Sequence, residues 1–372
     1  MSKQLYGVIA TSSDQNERRL PINPELLLKI PRDIRNSLVF EAGYGESFGI
    51  SDEKIASLTA GVVSRQEILE NIGNIILLAP SSKDLAQIKE GGTIWGWTNC
   101  VRDKEIAQLA IDKKLTLISF ESMFSCDNDE KIKKNVFHEA NELAGYSAVL
   151  HALSLKGIDG RYGNQKRILV IGFGSVSRGA IHALLSREYK DITVCTRYSI
   201  ATLPNVIKGC KYITAPQNIS DSKKFVELLN KSDIIVNGIS QDLIKPTMFI
   251  KEKDLEKISP KCLVIDLSCN EGVGFFFAKP TTLNNPMFKV GTIDYYGVNH
   301  ASNYLWDSAT RSISKIINDY LANITLTKEN KSKIKVLSDA TDIKDGLVKN
   351  KKIISFQKRE KEYPYNYKYK DN

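Results

Sequence analysis

Residues 166–189 read KRILVIGFGSVSRGAIHALLSREY and decide the fold of the chain. The run from Arg167 to Ile171 has the pattern of a buried strand, and two glycines, Gly172 and Gly174, follow it before a helical stretch begins. A dinucleotide's pyrophosphate needs backbone N–H groups at close range, and glycines allow that approach because they have no β-carbon. We therefore predict that a nucleotide-binding α/β domain starts at this strand.

Further strand patterns surround this stretch. They are DITVCTRYS (191–199), SDIIVNGIS (232–240) and KCLVIDLSCNEGVG (261–274). Before residue 126, short apolar runs alternate with segments compatible with helices, which is the rhythm of βα units. Residues 138–157 predict a connecting helix that stops at Gly157, and a long helix is predicted after residue 300.

These patterns predict an α/β fold with two Rossmann-like domains, each built on a doubly wound parallel sheet. The nucleotide domain is predicted to be inserted into the substrate domain. We assign residues 141–299 to the NAD(P)-binding Rossmann domain, and residues 1–140 with 300–372 to the discontinuous substrate and catalytic domain.

Length and composition limit the class of protein. The chain has 372 residues, 42% apolar and 26% charged, which is typical of about two globular domains and argues against disordered, collagen-like and coiled-coil chains. The six cysteines form no CxxC pair, so the spacing predicts no metal site. No signal peptide or membrane-span pattern is present, so we expect a cytoplasmic protein with no membrane partner.

The net charge of +9 is concentrated at the C-terminus. Residues 343–372 hold nine Lys/Arg and four Asp/Glu and so supply five of the nine net charges. We expect this segment to be solvated, because charge runs usually serve solubility. A nucleic-acid partner is the weaker alternative, and it rests mainly on interleaved side chains near the end: Tyr363, Tyr365, Tyr367, Lys368, Tyr369 and Lys370.

The candidate cofactor-binding residues follow the predicted strands. NAD enzymes usually carry Asp or Glu after the second strand to bind the ribose, whereas a neutral residue followed by Arg suits a 2′-phosphate. This chain has Thr196 and Arg197 there, so NADP(H) is preferred to NAD(H). The complete candidate set is Gly172, Gly174, Ser175, Ser177, Thr196, Arg197, Asn237 and Gly238.

The chain also resembles a known family over about residues 5–325. ERRLPINP (17–24), FEAGYGESFGISD (40–52), the Trp95-Gly-Trp97-Thr motif, NELAGYSAVLHAL (141–153), GFGSVSRGA (172–180) and LVIDLSCNEGVG (263–274) occur in the order seen in the alanine dehydrogenase and pyridine nucleotide transhydrogenase family. The GWT motif, Ser177, Arg197 and DIIVNGI are more similar to the family's carboxyethylornithine synthases than to alanine dehydrogenases proper.

The resemblance implies an NADPH-dependent oxidoreductase acting on CH–NH donors. An amino acid amine would condense with a 2-oxo acid such as pyruvate, and the imine would be reduced. It also implies that Arg19 holds the oxo acid's carboxylate and that the enzyme is a homo-oligomer. We further predict Trp97, as an apolar wall for a substrate side chain, and Asn299 as substrate-binding residues.

Three expected catalytic groups are absent. The family's catalytic His and Asp positions carry Asn99 and Asn270, and its lysine position falls near Leu78. Asparagine orients a carbonyl by hydrogen bonds but does not exchange a proton near neutral pH. We therefore predict Asn99 and Asn270 as orienting groups and His300 as the replacement acid, with Asn299 and Glu271 as neighbouring candidates.

Two alternative functions stay open at this point. The first is a catalytically degenerate nucleotide-binding sensor or partner subunit, which the two asparagines favour. The second is alanine dehydrogenase itself, which the three absent groups disfavour.

Overall fold

The computed structural model describes residues 4–10, 12, 16–126, 133–203, 205–215, 223–239, 241, 246–325 and 330–368. The chain divides into two compact units. The first unit comprises Met1–Phe137 and Trp306–Asn372, and the second comprises His138–Leu305.

The described residues form seventeen strands, most of them short and apolar. In chain order they are β1 (Tyr6–Val8), β2 (Leu38–Glu41), β3 (Gly61–Val63), β4 (Asn74–Ile76), β5 (Thr93–Gly96), β6 (Thr116–Ser119), β7 (Phe124–Cys126), β8 (Lys133–Asn135), β9 (Arg167–Ile171), β10 (Asp191–Thr196), β11 (Lys211–Thr214), β12 (Ile234–Asn237), β13 (Leu263–Asp266), β14 (Met287–Val290), β15 (Ile293–Tyr296), β16 (Thr341–Lys344) and β17 (Leu347–Val348).

The α-helices of the same described residues alternate with these strands. They are α1 (Arg32–Arg35), α2 (Asp52–Ala56), α3 (Arg65–Asn71), α4 (Ser82–Gln87), α5 (Lys104–Asp112), α6 (His138–Lys156), α7 (Ser175–Ser186), α8 (Lys223–Lys231), α9 (Trp306–Thr325), α10 (Lys331–Asp339) and α11 (Lys351–Phe356). Local sequence sets several of their ends. Ser64 and Glu67 form a capping box at α3, for example, and Gly157 ends α6 with a φ of +60°.

The first unit is built on an eight-stranded sheet among the described residues. Its order is β17-β16-β6-β5-β4-β1-β2-β3, and β1 to β6 pair in parallel. Within it the order β3-β2-β1-β4-β5-β6 is that of a doubly wound Rossmann fold. Helix α9 packs in this unit, where Thr310 and Ser314 accept hydrogen bonds from the backbone N–H groups of Leu20 and Asn23.

The second unit repeats the arrangement with seven described strands. The order is β11-β10-β9-β12-β13-β15-β14, and only β14 pairs antiparallel. Alternate residues of β9 pack into separate cores on the two faces of the sheet: Ile168 and Val170 on one side, Leu169 and Ile171 on the other. Burial on both faces explains the continuous apolar run in the sequence. The predicted fold class is confirmed.

Two glycines allow α6 and α7 to pack closely. A β-carbon on Gly145 would lie 1.8 Å from the carbonyl oxygen of Val176, and one on Gly179 would lie 1.7 Å from that of Glu142. Real β-carbons do not come so near a backbone oxygen, so this helix crossing depends on both glycines.

Residues 343–368 belong to the folded first unit, and the described lysines of this segment are exposed, as expected for a solvated segment. β16 pairs with β6, β17 pairs with β16, and α11 follows. Arg359 is completely buried, and its guanidinium donates to Gln357, Gln108 and the hydroxyl of Tyr367. The charge count missed this because it treats every cation as solvated, whereas Arg359 is held by hydrogen bonds inside the unit. Tyr369 and Lys370 lie outside the described residues.

Two features are absent from the described residues. None of their helices combines the length and apolar character needed to cross a membrane. No group of three or more His, Cys, Asp or Glu side chains among them is arranged to hold a metal ion.

Candidate functional site

The predicted site residues lie beyond the carboxyl ends of the strands in both sheets. In doubly wound sheets ligands bind at this edge, near the point where the strand order reverses. That point falls between β1 and β4 in the first unit and between β9 and β12 in the second. Each unit therefore presents its candidate residues where its topology favours binding.

The glycine turn after β9 has the geometry of an anion-binding turn. Gly172 has a φ of +102°, a conformation that L side chains rarely adopt. Gly174 is the N-cap of α7 and, as a glycine, makes no side-chain hydrogen bond to the first turn of this helix. A β-carbon on Gly174 would meet no atom within 4 Å, so the approach to these N–H groups is open.

Ser177 and Gly238 join α7 to the end of β12. Ser177 is buried, and a β-carbon on Gly238 would lie 2.1 Å from its hydroxyl oxygen. The N–H of Gly238 donates to the carbonyl of Ile171, the last residue of β9. These two residues therefore support the turn, and Ser175 lies half-buried in the first turn of α7.

The end of β10 carries a cation beside that turn. Gly172 donates its N–H to the carbonyl of Cys195 at 2.8 Å, which brings the two strand ends together. Thr196 is buried, whereas Arg197 is exposed and stacks on the ring of Tyr198 at 5.3 Å. No Asp or Glu occurs from residue 197 to residue 220, so no nearby carboxylate in this stretch would repel a phosphate.

Asn237 belongs to a buried hydrogen-bond network at the ends of β12 and β13. Its Nδ2 donates to Asp266 at 3.0 Å, and Ser268 and the Tyr295 hydroxyl donate to the same carboxylate at 2.7 Å and 2.9 Å. Burial raises the pKa of Asp266, while the bonds from Ser268, Tyr295 and Asn237 oppose that rise. The network holds the chain that leads to Asn270.

The structure brings Asn270, Asn299 and His300 to one region of the second unit. The thiol of Cys269, which precedes Asn270, lies 3.5 Å from the carbonyl oxygen of Val298, just before Asn299. Cys269 and His300 both have positive φ, at +50° and +57°. Non-glycine residues in this conformation concentrate at functional sites.

In the first unit Arg19 is buried against Glu17 and Trp97. Its Nε donates to Glu17 at 2.7 Å, its Nη2 pairs with the other carboxylate oxygen, and its guanidinium lies 5.4 Å from the Trp97 ring centre. Trp97 also packs on Phe120 and Phe137. The sequence patterns indicated Arg19 and Trp97 but not the carboxylate of Glu17, which engages one edge of the guanidinium.

Asn99 lies next to a carboxyl group that the sequence analysis missed. Asn99 is exposed with a φ of +50°, and its backbone N–H donates to Oε1 of Glu121 at 2.7 Å. Glu121 follows β6 as Asn99 follows β5, and these parallel neighbours end at the same sheet edge. That adjacency was available from the run LTLISFE, whose last residue is Glu121.

Leu78 and Glu271, and three histidines that were not assigned to the site, have simpler surroundings. Leu78 is buried, and its carbonyl accepts the N–H of Trp97. Glu271 and His182 are exposed, and His138 begins α6 half-buried. The Nδ1 of His151 lies 3.2 Å from the hydroxyl of Tyr296, and its ring stacks on Tyr304. Burial lowers the pKa of His151.

Comparison with known proteins identifies the family. The profile of the alanine dehydrogenase/PNT C-terminal domain matches residues 151–356, more than half of the chain. The chain belongs to this family. The resemblance inferred from the motifs is therefore confirmed, and the family's members are oxidoreductases that use a pyridine nucleotide.

Individual relatives agree with this assignment. An N(5)-(carboxyethyl)ornithine synthase of Clostridium botulinum is 27% identical over 322 residues, covering 82% of this chain and 90% of that protein. One from Lactococcus lactis subsp. lactis is 25% identical over 316 residues, with the same coverage. Alanine dehydrogenase 1 of Staphylococcus aureus is 21% identical over 355 residues, covering 92% of this chain and 94% of the relative.

Two solved structures share the fold. An L-alanine dehydrogenase superposes with a TM-score of 0.73 at 14% identity, covering 95% of this chain and 99% of that one. A transhydrogenase from Sinorhizobium meliloti gives a TM-score of 0.70 at 19% identity, covering 93% of this chain and 99% of that one. At these identities the likeness concerns the fold alone.

Proposed function

We propose that the chain is an NADP(H)-dependent reductase that joins the amino group of an amino acid to a 2-oxo acid such as pyruvate. The observation that carries this proposal is the open glycine turn at Gly174 beside an exposed Arg197, in a family member whose matched relatives include carboxyethylornithine synthases. The 2-oxo acid, the amine and the preference for NADPH are all parts of the proposal.

The residues of the second unit fit a phosphorylated dinucleotide. The N–H groups at the start of α7 would hold the pyrophosphate, and Arg197 would pair with a 2′-phosphate in the stretch that has no carboxylate. When bound in its reduced form, this cofactor supplies a hydride. The buried Ser177 and the half-buried Gly238 would fix the turn, and Asn237 would act through its hydrogen bond to Asp266.

Arg19 is the residue assigned to the oxo acid's carboxylate. Its guanidinium already carries Glu17 on the edge formed by Nε and Nη2. A bound carboxylate therefore displaces Glu17 from this edge or shares the guanidinium with it. Trp97, packed against the same guanidinium, would give the oxo acid an apolar neighbour.

The two asparagines are assigned orienting roles. An amide both donates and accepts hydrogen bonds, so Asn99 and Asn270 would align a carbonyl or an imine without exchanging protons. His300 is assigned the role of acid in the second unit. The contact between Cys269 and Val298, which brings the chain near His300 close to Asn270, supports this assignment. Holding two reactants in the correct orientation is itself worth roughly 7–11 kcal/mol of barrier in favourable cases.

The test is a two-substrate assay. NADPH oxidation should appear only when a 2-oxo acid and an amine such as ornithine or lysine are both present, and mass spectrometry should find the N-carboxyalkyl product. The same protein should not oxidise alanine with NAD⁺ at a comparable rate, which would instead indicate an alanine dehydrogenase. No turnover with any pair, from a protein that binds NADPH, would contradict the proposed reaction.

The pair Asn99 and Asn270 favours a second candidate, a nucleotide-binding sensor or partner subunit without turnover. The double substitution Asn99→His with Asn270→Asp separates the two. An inactive parent that gains dehydrogenase activity supports the sensor. An active parent that loses its two-substrate activity supports the reductase.

A further inference from the structure

Glu121 is half-buried, and one of its carboxyl oxygens is buried and unsatisfied. Its Oε1 accepts the N–H of Asn99, whereas Oε2 is buried and has no hydrogen-bond partner among the described residues. Leaving a charged oxygen buried without a partner is costly, and a proton on that oxygen removes the charge. The geometry alone therefore favours a carboxyl that readily holds a proton.

The surroundings of Glu121 both raise and lower its pKa. Burial is the largest influence and, together with the neighbouring Asp342, raises the pKa of Glu121 to about 7, against a hydrogen bond from its own backbone N–H. The Asn99 N–H and the guanidinium of Arg102 oppose this rise. Burial and Asp342 also raise the pKa of the Cys100 thiol well above its usual range, so this thiol does not titrate near neutral pH.

We propose that Glu121 carries the protons of the condensation step, at the position next to Asn99 where the family's histidine is missing. This inference rests on the proposed function and deepens it. It assigns the first unit a proton-exchanging group that Asn99 cannot provide. His300 keeps its separate assignment in the second unit.

The condensation step requires proton transfers that this carboxyl can carry out. The amine nitrogen forms a bond to the carbonyl carbon of the oxo acid, the carbon–oxygen bond breaks, and the oxygen leaves as water. Starting from an ammonium group, two protons leave nitrogen and both end on that water, while the iminium product keeps the positive charge. A carboxyl that alternates between its two forms carries these protons one at a time, and no external acid is consumed.

The main test compares Glu121→Gln with the wild-type chain and with Glu105→Gln, which alters an exposed carboxyl at the start of α5. We expect Glu121→Gln to lower kcat/KM for the amine and oxo acid roughly 100-fold or more, the usual scale of a lost acid–base group. The wild-type pH profile should show a group titrating near 7 that disappears in this variant. NADPH affinity should stay unchanged, as should every property of Glu105→Gln.

A second measurement requires no substrate. Infrared difference spectra of wild type minus Glu121→Gln should show the carbonyl stretch of a protonated carboxyl below pH 7 and its loss above. A carboxyl already ionised at pH 5.5 overturns the inference. The inference is also overturned if the wild type is active and Glu121→Gln keeps its activity within threefold. That result would not contradict the proposed reaction. A wild type without turnover contradicts the proposed function, and this role for Glu121 with it, even where the spectra show a protonated carboxyl.

Discussion

Ser177 lies directly against Gly238, and this contact sets the distance between α7 and the end of β12. A β-carbon on Gly238 would lie 2.1 Å from the hydroxyl oxygen and 3.2 Å from the β-carbon of Ser177. Both residues were predicted from the sequence as cofactor-binding residues. The burial of Ser177 and its close packing on Gly238 indicate that these residues hold the glycine turn in place.

The first prediction is that Gly238→Ala destabilises the protein. Adding a methyl group to this packed contact must move α7 or the strand end, at a cost of about 1–3 kcal/mol. Chemical denaturation should show the loss, and Ser177→Gly should restore part of it in the double variant. Full stability in Gly238→Ala alone would show that the helix and strand do not press on each other here.

The second prediction concerns Gly174, where the same addition should leave folding intact. A β-carbon there meets no atom within 4 Å, and the φ of −78° is ordinary for alanine. The methyl group instead stands where a pyrophosphate would approach the N–H groups of α7. We expect Gly174→Ala to weaken NADPH binding about tenfold, or ~1.4 kcal/mol, in calorimetry. Unchanged affinity would contradict the proposal that the pyrophosphate binds at this turn.

The third prediction addresses cofactor choice. If Arg197 pairs with the 2′-phosphate, Arg197→Gln loses one charge-assisted contact, worth about 1.5–3 kcal/mol. NADPH affinity should then fall roughly ten- to hundredfold, while NADH affinity stays within about threefold, because NADH lacks the phosphate. Arg187→Gln, which removes an exposed guanidinium at the other end of α7, is the matched control. Equal losses for both cofactors would argue against phosphate recognition.

The sequence predicted those features of the fold that depend on local pattern. The buried run 167–171, the two glycines and the periodicity of α6 indicated elements that the structure contains. Three strands of the same sheet, β11, β14 and β15, were not predicted. β11 reads Lys-Tyr-Ile-Thr and is only partly buried, so it lacks a strong apolar run. β15 contains Asp294, which is tolerated because Lys156 pairs with it at 2.6 Å, a long-range contact that no local pattern reveals.

The same limit explains which residues of the candidate site could be predicted from the sequence. Arg19, Trp97 and Asn99 were found because they belong to motifs, and the structure places all three at one edge of the first sheet. Glu17 and Glu121 were not assigned roles, because the significance of each depends on a partner brought near by folding. A charge pattern in sequence cannot distinguish a carboxylate in water from one buried without a partner.

The fourth prediction tests the C-terminal segment. Arg359 also donates to the carbonyl of Tyr365, and Gln357 donates to the carbonyl of Cys100, next to Asn99. Arg359→Met would leave buried acceptors unpaired and should cost about 2–4 kcal/mol of stability. Lys361→Met, at an exposed position two residues away, should cost less than about 0.5 kcal/mol. Equal stability of the two variants would show that the buried hydrogen bonds of Arg359 do not stabilise the fold.

The fifth prediction is a pH dependence of stability that Glu121 causes. Because burial raises its pKa in the folded chain to about 7, the folded state holds this proton more tightly than the unfolded state does. Its contribution to stability is therefore fully present below the unfolded pKa of about 4.3 and is lost as the pH rises through 7. Glu121→Gln cannot lose a proton, so it should be more stable than wild type at pH 8, by on the order of 1–3 kcal/mol.

Denaturation of the two proteins at pH 5, 6, 7 and 8 measures this difference directly. The difference between the two proteins should be smallest at pH 5, grow up to about pH 7 and level off above it. Glu105→Gln should follow wild type throughout, because its carboxyl is exposed. A constant offset at every pH would mean that the amide changes packing rather than charge, since only a titrating group gives a stability difference that grows between pH 5 and 8.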